Sequence, residues 1–165
     1  MATLTSPHGR PYPDGNERVR DGDNAMGALA TAGDGHDVKM GSAASTAKVN
    51  VTATAPVDIT GATVAVTTTR PNALVFVTAV FDMSTDVTGN TFLGSLVVDG
   101  AAQVAKATLR LATLNLRLTV AQSWVLTLAA AGPHTLKLQG ALDAAAGTAG
   151  VNFPSTTISY ILQEQ

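Results

Sequence analysis

Asp82 and Asp86 flank the tripeptide Met-Ser-Thr, a spacing at which two carboxylates could share acid–base work or hold an ion. Carboxylates in loops are more often simply solvated, and that is the expectation for this pair. His134 follows a Gly-Pro turn and shares its strand parity with Leu136 and Leu138. That marks a partly buried structural side chain, because a metal site needs several convergent ligands. The stretch "DGDN" at 21–24 opens like a calcium loop, but Ala25 stands where the next oxygen ligand belongs and no Glu closes the loop. Asp21 or Asp23 capping a helix is the better reading. "NVT" at 50–52 has the form of a glycosylation acceptor without a secretion signal beside it. Trp124 could serve as a sugar platform, yet its parity with Leu126 and Leu128 places it in a core. The chain has 3 histidines and no cysteine, which excludes disulfides, thiolate catalysis and cysteine zinc sites. It shows neither a Ser–His–Asp order on strand-to-helix turns nor a Gly-rich phosphate loop. No catalytic residue, metal or cofactor is expected.

Composition narrows the partners. Of 165 residues, 45% are apolar and only 13% charged, against about 25% charged in an average soluble domain. Such a surface stays in solution through Thr, Ser, Asn and Gly, or it is covered by other subunits. Net charge is −2, with no basic stripe and few aromatics, which argues against nucleic acid. "MATLTSPHGR" lacks the apolar centre of a signal peptide. No apolar run approaches the roughly 20 residues that span a membrane, so no membrane insertion is expected.

The elements that must position these residues change character along the chain. Residues 1 to about 22 read as an irregular arm, broken by Pro7, Pro11 and Pro13 and turned at "PDGN". "DGDNAMGALATAG" reads as one short helix, with Met26 and Leu29 on one face and Gly33 ending it. Residues 33–46, small and polar, read as a linker. From Ala47 the period becomes two. "KVNVTAT" and "GATVAVTTT" alternate as half-buried strands, and "RPNA" at 70–73 is a turn. "LVFVTAVF" is apolar on both faces, with Val75, Val77, Ala79 and Phe81 on one and Leu74, Phe76, Thr78 and Val80 on the other. A strand apolar on both faces is covered on both. One face meets the opposite sheet. The other, with Leu74, Phe76 and Val80, is the candidate interface of a symmetric assembly.

"TFLGSLVVDG" closes on an Asp-Gly turn. In "ATLRLATLNLRLTV" the apolar parity flips near Ala112 and Thr113, which means either a bulge or a new strand. "WVLTLAAAGPHTLKLQ" reads as a hairpin, "ALDAAAGTAGVNFP" as a loop and "STTISYILQ" as the last strand. The fold class is all-β: an antiparallel sandwich or jelly roll of about eight strands, with an extended N-terminal arm and one short helix. Residues 1–46 make the arm, helix and linker, and 47–165 the β domain.

"VTTTRPNALVFVTAVFDMS", the "VVDG" turn and "LTVAQSWVLTLAAAGPHTLKLQG" resemble the tumour-necrosis-factor-like jelly rolls of tailed-bacteriophage structural proteins. There a strand ending Leu-Ala-Ala-Gly is followed by His-Thr-Leu/Val-x-Leu. Here "LAAAGPHTLKL" departs from that pattern by an extra Ala and Pro around the turn. The resemblance runs over roughly residues 48–163. The arm "PYPDGNERVRDGDNAMGALA" is similar to the start of many phage tail-associated proteins, with Tyr-Pro, a Gly/Asp-rich turn, a Val-x-Asp-Gly-Asp element and a short Ala-Leu helix.

The resemblance implies a homotrimeric, non-enzymatic virion structural protein of minor tail or fibre type, assembled in the host cytoplasm and carried on the particle. Its arm would anchor it to another virion protein of tail or capsid through Tyr12, Pro13, Arg18, Val19, Arg20, Met26 and Leu29. The outer loops Asp82 to Asn90 and Ala141 to Asn152 are the candidates for weak binding of host surface glycan. The alternative is a capsid decoration protein or head fibre of the same fold. A glycan depolymerase is disfavoured, since the chain is short and lacks carboxylate pairs on strands.

Overall fold

The computed structural model describes residues 3–4, 11–12, 38–85, 88–110, 112–144, 149–151 and 155–164. The chain divides into two units, Met1–Asp37 with Glu164–Gln165, and Val38–Gln163. In the first, β1 (Thr3–Leu4) pairs antiparallel with β2 (Pro11–Tyr12), Thr3 opposite Tyr12. The helix expected within residues 21–33 lies outside the described residues.

The second unit is all strand and turn among its described residues. It contains β3 (Val38–Ala44), β4 (Val49–Val51), β5 (Val57–Thr68), β6 (Ala73–Thr85), β7 (Thr91–Val98), β8 (Ala101–Arg110), β9 (Arg117–Leu128), β10 (Gly132–Leu142), β11 (Ala149–Val151) and β12 (Thr157–Gln163). Sheet I runs β5-β10-β7-β8. Sheet II runs β3-β12-β6-β9, with β11 and β4 continuing beside the far end of β6. Every pairing is antiparallel. Set β4 and β11 aside and number the remaining strands in chain order: the sheets then read 2-7-4-5 and 1-8-3-6. That interleaving is the jelly roll, two Greek keys wound into a sandwich. The fold class is as expected from the residues.

The same order corrects several local expectations. β9 and β10 do not form a hairpin: β9 pairs with β6, β10 pairs with β5 and β7, and the short link 129–131 crosses between sheets. Alternation shows only which side of a strand is apolar, and a crossing and a hairpin look alike on that measure. The flip near Ala112 is another crossing. β8 ends in sheet I at Arg110, and β9 starts in sheet II after a turn with Asn115 at φ 56°. The segment expected as linker supplies β3, which pairs with β12 along its length. Gly41 and Ser42 disguise it; the glycine is where the Tyr160 ring of β12 lies, since a Cβ there would come within 2.7 Å of that ring. The loop expected at 141–154 holds the end of β10 and all of β11. The one link within a sheet among the eight strands is β7 to β8, where Asp99 and Gly100, at φ 49° and 85°, make the two-residue turn that "DG" favours.

The core lies between the sheets. Val75, Val77, Ala79, Phe81 and Met83 of β6 are almost fully buried, against Phe92, Leu96, Leu136, Leu138 and Leu142 of sheet I. Phe81 and Phe92 meet edge to face, ring centres 5.7 Å apart. Gly94 and Gly140 stand opposite each other in β7 and β10. A Cβ at Gly94 would come within 2.6 Å of the Phe81 ring, and one at Gly140 within 2.9 Å of Phe92. The glycine pair makes the hollow that the two rings fill. Trp124 is buried as expected, and its indole N–H donates to the Ala105 carbonyl at 2.8 Å, tying β9 to the edge strand β8.

Candidate functional site: the outer face of sheet II

β6 explains the site. Its odd-numbered residues from Ala73 to Met83 fill the core, so its even-numbered residues face outward. Strand register then sets neighbours from β3, β12 and β9 beside them. Met40 lies opposite Ile161, Ile161 opposite Phe76, and Phe76 opposite Val125. The result is an unbroken apolar row across four strands. These residues are 74%, 49%, 43% and 66% exposed, respectively. Below the row stand Val38, Gln163, Leu74 and Thr127, and Val38 and Leu74 are exposed too. Above it runs a row of hydroxyls, Ser42, Ser159, Thr78 and Ser123, with Thr78 Oγ1 and Ser123 Oγ 3.3 Å apart. Ala44, Thr157, Val80 and Ala121 follow. A groove of about 340 Å³ lies here, lined by Met40, Ser42, Phe76, Thr78, Ser159 and Ile161.

The polar end of the face is locked. Asp82 is buried at 2% exposure on β6, where a solvated loop carboxylate was expected. Arg117 explains this. Its Nε donates to both Asp82 oxygens at 2.9 and 3.1 Å, and Nη2 adds 2.6 Å to Oδ2 and 2.8 Å to Ser155 Oγ. Asp82 holds the exposed Arg117 guanidinium above its ordinary pKa, through hydrogen bonding first and charge second. Thr156 Oγ1 accepts from the Asp82 backbone N–H at 3.0 Å and donates to its carbonyl at 3.3 Å. The bidentate geometry gives Asp82 a structural partner. Asp86 lies outside the described residues.

Of the residues singled out beforehand, Leu74, Phe76 and Val80 stand on this outward face, Leu74 and Phe76 exposed and Val80 half-buried. Of the arm residues, Tyr12 falls in β2, while Pro13, Arg18, Val19, Arg20, Met26 and Leu29 lie outside the described residues. Sequence reading missed Met40, Val125 and the use of Ile161. One signal was there for Val125 and Ile161: each is a large apolar residue whose same-parity neighbours are polar, Ser123 and Thr127 for one, Ser159 and Gln163 for the other. His134 is buried, with both ring nitrogens engaged by Asp99 and Ala130.

No protein-family model matches the chain, and no curated protein matches it. Among solved structures it is similar to dimeric latent PorU from Porphyromonas gingivalis, at 11% identity and a TM-score of 0.48, over 79% of this chain and 13% of that one. It is also similar to the Eiger TNF of S. frugiperda, at 18% identity and 0.45, over 75% of this chain and 91% of that one. The VP2 subviral particle of infectious bursal disease virus gives 12% identity and 0.43, over 79% and 37%. The jelly-roll assignment itself stands on the strand order.

Proposed function

We propose that this chain is a non-enzymatic structural protein of a bacteriophage virion, a tail- or fibre-type appendage whose jelly roll assembles as a homotrimer through the outer face of sheet II. One observation carries the assembly, the in-register row Met40–Ile161–Phe76–Val125, bare on a face made of regular strands, while the virion setting rests on the resemblance of the arm and of residues 48–163 to phage structural proteins. Burying what is exposed of these four side chains contributes on the order of 1 kcal/mol each. The hydroxyl row beside them supplies polar contacts that water or a neighbouring copy satisfies equally well. The occupant we assign is another copy of this chain, since the row is uncharged and continuous across four strands and is carried by every copy, as a symmetric contact requires. The arm, with Tyr12, Pro13, Arg18, Val19, Arg20, Met26 and Leu29, holds the trimer to a tail or capsid protein, and the virion is where the protein resides. Outer loops are left to touch host glycan.

Sedimentation equilibrium on the full chain at micromolar concentration tests the assembly. The expected mass is three chains. Phe76→Lys with Val125→Lys, both at exposed positions, is expected to give a monomer with an unchanged far-ultraviolet spectrum. A wild-type monomer at that concentration, or a trimer indifferent to the double change, would sink the reading.

A further inference from the structure

His134 of β10 is 8% exposed and lies in line with the buried Leu136 and Leu138. Its ring is held from both sides. Nδ1 stands 2.6 Å from Asp99 Oδ2, and Nε2 stands 3.0 Å from the Ala130 carbonyl oxygen. Neither a carboxylate nor a carbonyl has a proton to give. A neutral imidazole has one N–H and one lone pair, so either tautomer points a lone pair at an oxygen. The imidazolium alone donates in both directions.

The two acceptors are themselves fixed. Asp99 sits in the tight β7–β8 turn, and its Oδ1 accepts from the Thr135 N–H at 2.7 Å, which turns Oδ2 toward the ring. The Asp99 N–H donates to the Thr135 carbonyl at 3.0 Å. On the other side, the Ala130 carbonyl also accepts from Thr68 Oγ1 at 3.1 Å, and that hydroxyl accepts from the Gly132 N–H at 3.1 Å. The elements around the ring are thus β5, bringing Val66 and Thr68, the β7–β8 turn, bringing Asp99, and the β9–β10 crossing, bringing Ala130. Among the described residues, the charge that acts on the ring is that of Asp99.

We propose that His134 is a proton-operated latch: as the imidazolium it ties the β7–β8 turn to the β9–β10 crossing, and on losing its proton it releases this end of the jelly roll. The hydrogen bond to Asp99 raises the His134 pKa above its ordinary 6.5 and outweighs desolvation. A raised folded-state value means stability that is complete below the unfolded value and lost as pH rises through the folded one. Asp99 moves the other way: hydrogen bonds from His134, then Thr135, lower it from 3.8, so its share is lost as pH falls through the lowered value. The latch is closed between the two and opens on the alkaline side.

The test is a titration of the full chain labelled with nitrogen-15 in histidine, from about pH 5 to about pH 9. His134→Gln identifies the His134 signals among the 3 histidines. Both ring nitrogens are expected to be protonated at pH 6, with a midpoint above 6.5. Over the same titration the melting temperature should fall, and amide protection at Asp99–Ala101 and Ala129–Ala131 should drop. In Asp99→Asn, which keeps the turn and the Oδ1 acceptor, the midpoint should fall below the wild-type value and the alkaline loss of stability should disappear. A wild-type ring carrying a single proton at pH 6 overturns the latch, as does an alkaline profile that survives Asp99→Asn. If His134→Gln does not fold, the two remaining samples still decide the matter.

Discussion

Asp82 shows how far a residue's role depends on what reaches it. In sequence it is one of two acidic residues four apart. In the fold its carboxylate is 3% exposed while the Arg117 side chain is 61% exposed. The two ends of this pair are therefore unequal. Removing the arginine strands a desolvated carboxylate, whereas the arginine itself is already largely hydrated. Arg117→Ala should lower the melting temperature clearly. Arg117→Lys should recover only part of the loss, because a single ammonium cannot make the forked contact with both Asp82 oxygens and still reach Ser155. Differential scanning calorimetry on the three proteins checks the ranking. Equal melting for Lys and Arg would mean that charge, not the fork, is what the site uses.

At the scale of elements, β6 organises everything else. One side of it is the spine of the core and the other is the centre of the apolar face, so it binds sheet I and offers the proposed contact at once. Its packing depends on what β7 and β10 omit. Gly94→Ala puts a methyl group within 2.6 Å of the Phe81 ring, which has Phe92 at its edge and cannot retreat freely. Overpacking of this kind costs about 1–3 kcal/mol, and urea denaturation of Gly94→Ala should show a loss in that range. Phe81→Leu in the Gly94→Ala background should restore part of it by vacating the space. No loss in Gly94→Ala would mean that the rings can move aside and that the hollow is not shaped by the glycines.

For the whole molecule, the boundary that matters is Val38. Residues 38–44 are a strand of sheet II, paired with β12 and carrying Met40 into the apolar row. Deleting residues 1–32 should leave the melting temperature and the oligomeric mass nearly unchanged, while abolishing loading onto particles. Deleting residues 1–46 should instead expose the edge of β12, remove one quarter of the apolar row and break the assembly. Sedimentation and particle-loading assays on the two truncations separate the arm from the sheet. If the shorter truncation still loads at normal occupancy, the arm is not the anchor.

Local chemistry made the strands themselves legible. Period-two alternation in β4, β5, β9, β10 and β12, the Asp-Gly turn and the two-faced character of residues 74–81 follow from which side chains avoid water and which turns accept positive φ. These are properties of neighbours in the chain, and the sequence determined them. Which strand lies beside which was decided only by the tertiary structure. The β9–β10 link could close a hairpin or cross the sandwich with the same residues, and β3 acquires meaning only beside β12. The apolar face followed the same logic. Ile161 and Val125 each have polar neighbours on the outward side of their own strands, and Met40 has Val38 and Ser42. They become a continuous surface because antiparallel register sets Met40 against Ile161, Ile161 against Phe76 and Phe76 against Val125. Register is a long-range property, won by burying the other face of every strand at once.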